Sequence, residues 1–172
     1  LTHPDPLAGR LPRRHELGHS PHTWLANRAQ PPRTAHYPIF LAEIASTVNE
    51  LLLTHHLLAQ PGDAAFRAHL LNHLCDSFKG TVERDLHRWE EEGTPLTAEF
   101  LRGQYYELNK KYYGAGLAAH EAIGHEWCRI PHFYYDFYVY KYATSFCAAL
   151  VFARRLRAGE GVEAYLGLLR AG

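Results

Sequence analysis

A mostly α-helical architecture is what this sequence predicts, and three observations carry the prediction. Between residues 39 and 60, Phe40, Ile44, Val48, Leu51 and Leu52 recur at the spacing of a buried helix face. Helix punctuation recurs along the chain: Pro61-Gly62 followed by Asp63, Thr97 with Glu99 in the turn behind it, and Gly114. Few segments alternate apolar and polar residues as a half-buried strand does, and no internal repeat or low-complexity tract is present.

The elements follow in order. Residues 1–14 are rich in Pro and Arg and read as an irregular lead-in to a domain covering 15–172. Pro12 suits the first turn of a helix running to about Ser20, and Pro21 is expected to kink or end it by removing the hydrogen bond to the Leu17 carbonyl. A helical remnant and a loop with Pro31, Pro32 and Pro38 lead to the long 39–60 helix. Asp63 caps a third helix through Phe66, Leu70, Leu74 and Phe78 to about Lys79, with Gly80 as an interruption. The charged stretch from Glu83 to Glu92 reads as a solvated helix ending at Gly93. Thr97 starts a helix that closes at Gly114; 117–128 reads as helical, and Arg129-Ile130-Pro131 as a break. Helices from about Asp136 to Arg157 and Gly161 to Arg170 complete the chain.

Composition narrows the function classes. The 172 residues suffice to bury one core. Eighteen basic residues balance 18 acidic ones, which argues against a nucleic-acid partner. No apolar run reaches the ~20 residues that cross a bilayer, so no membrane partner is expected and the chain reads as soluble and cytoplasmic. Met is absent even at position 1, as in a fragment or a trimmed chain. Cys75, Cys128 and Cys147, odd in number and far apart, read as buried free thiols of a reducing compartment.

The chemistry centres on His15-Glu16-Leu17-Gly18-His19, an HExxH motif. On a helix, His15 and His19 project from one face and can offer two imidazole nitrogens to one metal ion, with Glu16 beside it. Hydrolytic zinc takes three protein ligands and keeps a fourth position for water. Glu43 is the candidate third ligand, an acid among Phe40, Leu41, Ala42, Ile44 and Ala45 whose burial a metal would compensate. The alternative is an exposed Glu on a polar helix stripe. Glu16 is the candidate general base for a zinc-activated water, and Glu50 or Asn49 the candidate partner for the far ring nitrogens. Five Tyr fall within the nine residues 134–142, after His132. His132, Tyr135 and Tyr138 are candidate donors to a tetrahedral oxyanion, and Tyr135, Tyr138 and Tyr142 share a face if the helix starts early. Core or interface packing is the alternative use of such an aromatic run.

The segments HELGHS, PIFLAEIASTVNELLL, LTAEFLRGQYYELNKKYYG and EWCRIPHFYYDFYVYKYATSF resemble the C-terminal catalytic region of the oligoendopeptidase F family, relatives of thimet oligopeptidase. The resemblance covers most of residues 15–170. It implies a helical, zincin-type catalytic fragment of a zinc metalloendopeptidase that cleaves oligopeptides in a channel between two lobes. It implies one Zn2+ per chain on His15, His19 and Glu43, Glu16 as base, and a His/Tyr substrate segment beginning at His132, with Tyr138 ahead of Tyr135 as the hydroxyl donor. No other cofactor is implied. The family's N-terminal half is absent from this sequence, Arg10-Leu11-Pro12-Arg13-Arg14 replaces an apolar helical stretch, Pro21 sits inside a helix, and Gly80–Trp89 is short. These departures keep open an alternative function, a truncated helical domain that holds zinc without peptidase turnover.

Overall fold

The computed structural model describes residues 10–75, 79–116 and 118–172, and every described regular element is helical. In chain order these are α1 (Arg10–Ala29), α2 (Ile39–Ala59), α3 (Ala64–Cys75), α4 (Lys79–Glu91), α5 (Ala98–Tyr113), α6 (Tyr140–Arg157) and α7 (Val162–Arg170). Two 3-10 helices, Glu121–Arg129 and Pro131–Tyr134, lie between α5 and α6. No described helix is long and apolar enough to cross a membrane.

The chain divides into two compact units. The first contains residues up to Gly62 together with Thr144–Gly172, and the second is Asp63–Ala143. In the first unit α1 packs on both α2 and α7. Its core is built from small and branched residues, Ala26, Ile44, Ala45, Val48, Leu51, Ala149, Ala153 and Leu169. The α6 face with Ser145, Ala149 and Ala153 buried is narrow, and the Ser145 hydroxyl donates to the Phe40 carbonyl at 2.7 Å. Small side chains let helix backbones approach closely enough for such a bond.

The second unit is organised around Val82 and Tyr105, with Leu86, Leu108, Tyr113, Trp127 and Phe133 against them. The Tyr105 hydroxyl donates to Glu126 at 2.8 Å, so the ring is buried while its polar tip is satisfied. The expected caps form: Asp63 accepts from the Phe66 N–H at 2.7 Å, and Thr97 from the Phe100 N–H at 3.2 Å. Gly114 adopts φ 72° at the end of α5, a positive-φ conformation that suits glycine.

Several sequence expectations need correction. Helix α1 starts at Arg10 and continues through Pro21 to Ala29. Pro21 and Leu17 are exposed, so the Leu17 carbonyl that loses its partner faces water, while buried His22 and Ala26 hold the following turns to the unit. Gly80 does not interrupt a helix but lies inside α4, and Glu83 and Asp85 on that helix are buried rather than solvated. The 117–128 region is a 3-10 helix from Glu121, not an α-helix, with the His120 imidazole accepting the Ala122 N–H at 3.1 Å at its start. Helix α6 begins at Tyr140, four residues later than expected, because Phe137 turns the chain at φ 46° just ahead of it. Cys128 and Cys147 are exposed free thiols rather than buried ones; helix position, not residue type, decides their accessibility. Residues 1–9, Phe78 and the Cys75 side chain lie outside the described set.

Candidate metal centre

Helix α1 carries its buried side chains on one stripe: His15, Gly18, His19, His22 and Ala26, of which Gly18, His22 and Ala26 are fully enclosed. Gly18 is where this stripe meets α2. A Cβ on Gly18 would stand 2.5 Å from Ser46 Cα and 2.8 Å from the Ala45 carbonyl oxygen, so only glycine permits this approach. His15, one turn before that contact, and His19, the residue after it, come opposite the carboxylate of Glu43.

The three side chains converge. His15 Nε2 lies 3.3 Å from His19 Nε2 and 3.3 Å from Glu43 Oε2. One ligand atom from each of the three falls within 4.8 Å of the others. Ligands held at 2.0–2.1 Å on tetrahedral corners stand about 3.3 Å apart, so these two spacings fit a zinc-type site. Two imidazole nitrogens facing each other beside a carboxylate need a shared proton or a cation. Donor chemistry and spacing therefore both suit zinc. Glu43 is 6% exposed, which decides between ligand and surface acid in favour of an inward carboxylate.

Partners behind the ligands fix their orientation. Glu50, two turns along α2 from Glu43, lies 3.0 Å from His15 Nδ1. A proton on Nδ1 directed at Glu50 leaves the Nε2 lone pair free for a metal. The same hydrogen bond holds His15 above the ordinary imidazole range; the charges of Glu50, Glu43 and Glu16 act in the same sense and burial opposes them. The Ser46 hydroxyl donates to Glu43 Oε2 at 2.9 Å and to the Glu43 main-chain carbonyl at 3.1 Å. Gly18 and Ser46 were not singled out from sequence. The available signals were a helix-breaking glycine inside the motif and a hydroxyl one turn beyond the candidate ligand. Asn49 has no hydrogen bond to either ligand imidazole.

Glu16 is exposed on α1 beside His15 and is not part of the converging set. In the second unit, His132, Tyr135, Tyr138 and Tyr142 form one aromatic cluster. The His132 ring stacks on Tyr138 at 5.3 Å and meets Tyr135 and Tyr142 edge-on at 6.4 and 6.0 Å. The Tyr142 hydroxyl lies 3.4 Å from that of Tyr138. Tyr135 is exposed and Tyr138 half-buried. This grouping does not come from a shared helix face, since Tyr135 and Tyr138 precede α6.

The sequence profile of peptidase family M3 matches residues 14–172, nearly the whole chain. The chain belongs to peptidase family M3. Among relatives in the family, the oligopeptidase PepF of Bacillus subtilis (strain 168) is 44% identical over 169 residues, covering 92% of this chain and 25% of that protein. The chromosomal oligoendopeptidase F of Lactococcus lactis subsp. cremoris is 47% identical over 169 residues, covering 92% of this chain and 28% of that protein. The crystal structure of oligoendopeptidase-F from Enterococcus faecium superposes with a TM-score of 0.63 at 41% identity, covering 94% of this chain and 31% of that one. The chain thus spans between a quarter and a third of the length of these M3 relatives.

Proposed function

We propose that residues 15–172 form part of the catalytic domain of a zinc-dependent metalloendopeptidase that hydrolyses peptide bonds in oligopeptides. The observation that carries this reading is the convergence of His15, His19 and Glu43, one ligand atom of each within 4.8 Å of the others, with Glu50 3.0 Å from the far nitrogen of His15. His15 Nε2, His19 Nε2 and the Glu43 carboxylate would hold one Zn2+. Such an ion, when bound, would supply Lewis acidity toward a peptide carbonyl and an attacking water.

The chain's own groups do the rest. Glu50 keeps the His15 lone pair directed at the site, and Ser46 orients the Glu43 carboxylate. The Glu16 carboxylate accepts the proton from the attacking water and delivers it to the leaving amine. His132, Tyr138 and Tyr135 supply hydrogen-bond donors to the tetrahedral oxyanion, with Tyr138 first because its hydroxyl adjoins that of Tyr142 and its ring is braced by His132.

Metal analysis joined to turnover of a quenched oligopeptide tests the reading. About one zinc per chain is expected in the wild type and in Glu16→Gln, with turnover lost in Glu16→Gln and zinc lost in His19→Ala. Turnover that survives Glu16→Gln removes the proposed base; zinc binding untouched in His19→Ala removes the proposed site. The second reading is a helical domain that holds zinc without turnover. Zinc bound to a silent wild type would establish it.

A further inference from the structure

One face of α4 is left unused by the peptidase reading. Gly80, Glu83 and His87 are spaced i, i+3 and i+7, so they share a stripe, and each meets a different part of residues 137–143. Gly80 packs directly against the Ala143 side chain. The Glu83 carboxylate accepts two backbone hydrogen bonds, Oε1 from the Val139 N–H at 2.8 Å and Oε2 from the Tyr140 N–H at 2.7 Å. The His87 ring stacks on Phe137 at 3.8 Å and 11°.

These contacts solve a local problem at the start of α6. The residues ahead of Tyr140 are Phe137, Tyr138 and Val139, none of which has a side chain able to cap the helix. Glu83 serves instead, from another helix, and its negative charge suits the exposed N–H groups of a helix N-terminus. At 3% exposure the carboxylate would be costly to bury without those donors. Phe137 holds φ 46°, a conformation a non-glycine residue keeps only when its surroundings enforce it. Tyr138 stands between the two restraints, after a residue pinned by His87 and before one pinned by Glu83.

We propose that Glu83 is a positioning residue for Tyr138: by closing the first turn of α6 it fixes the backbone on both sides of this tyrosine and thereby the direction of its hydroxyl. The inference rests on the reading that Tyr138 donates to the substrate, and its tests separate the two. Glu83→Gln keeps the size of the side chain but turns one acceptor into an N–H donor facing a backbone N–H.

In the zinc-loaded chain, Glu83→Gln is expected to lower kcat by up to about 100-fold with KM and zinc content unchanged, and Glu83→Asp to recover part of the loss. Added to Tyr138→Phe, Glu83→Gln should cost nothing more; losses that multiply overturn the proposal. A Tyr138→Phe variant with wild-type kcat refutes the role of Tyr138 itself. The placement of Tyr138 is then judged by a signal that needs no turnover, the fluorine NMR resonance of a fluorotyrosine in place of Tyr138. One sharp line is expected in the wild type and a shifted or split line in Glu83→Gln with unchanged far-UV circular dichroism; an unmoved line overturns the proposal. If Glu83→Gln does not fold, Phe137→Gly, which removes the His87 stack and leaves the carboxylate in place, is expected to split the line, and a single unmoved line again overturns it.

Discussion

Gly18 and Ser46 touch backbone to backbone: a Cβ on Gly18 would lie 2.5 Å from Ser46 Cα and 2.8 Å from Ser46 N. This contact sets the distance between α1 and α2, and the candidate metal centre lies on either side of it. His15 and His19 come from one helix, Glu43 and Glu50 from the other.

Gly18→Ala is therefore expected to push the helices apart. Overpacking of this kind costs about 1–3 kcal/mol, and here the obstruction is backbone rather than a side chain that can swing away. Thermal unfolding of the metal-free protein should show a lower Tm, and zinc titration a weaker site. A variant with unchanged Tm and unchanged zinc affinity contradicts the contact.

Glu50→Gln leaves the three ligands in place but weakens the acceptor that fixes the tautomer of His15. A loss of about 10–100-fold in zinc affinity is expected, with little change in the fold. Competition with a chelator of known affinity measures it. If affinity stays at the wild-type level, the 3.0 Å contact to His15 does not orient the ligand.

Acid stability carries a signature of His22. This imidazole is fully buried and stacks on Tyr37 at 3.7 Å between centroids, and burial pushes its pKa below the ordinary 6.5. The neutral ring therefore contributes stability that is present above pH 6.5 and lost as pH falls through the depressed folded value. His15, whose pKa is raised, acts in the opposite sense. The difference between wild type and His22→Phe isolates the contribution: the wild-type denaturant midpoint should fall relative to that of the variant as pH is lowered below 6.5. Parallel midpoints across that range contradict the assignment.

At the alkaline end the relevant group is Tyr165, on α7, whose hydroxyl lies 3.5 Å from the Ala45 carbonyl. Burial pushes its pKa up to about 12. The protonated phenol thus stabilises the fold fully below about pH 10 and progressively less as pH rises toward the folded value. Tyr165→Phe should flatten this alkaline slope in denaturant titrations.

The HExxH spacing was enough to put His15 and His19 on one helix face, because 3.6 residues per turn is a local property of the chain. Apolar periodicity located α2 within a residue, and Asp63 and Thr97 announced helix starts because a cap is made within four residues. Glu43 as candidate third ligand was legible as an acid among apolar neighbours. Whether it faced the histidines or the solvent was not, since that depends on the rotation of α2 against α1. The close approach at Gly18, the Ser46 and Glu50 partners, the Glu83 carboxylate at the start of α6 and the left-handed Phe137 all join residues through space. The sequence alone placed most of the helices and singled out side chains that could bind a metal. Tertiary packing decided which of them meet, because helix rotation and register are set by contacts between elements and leave no periodic trace within one.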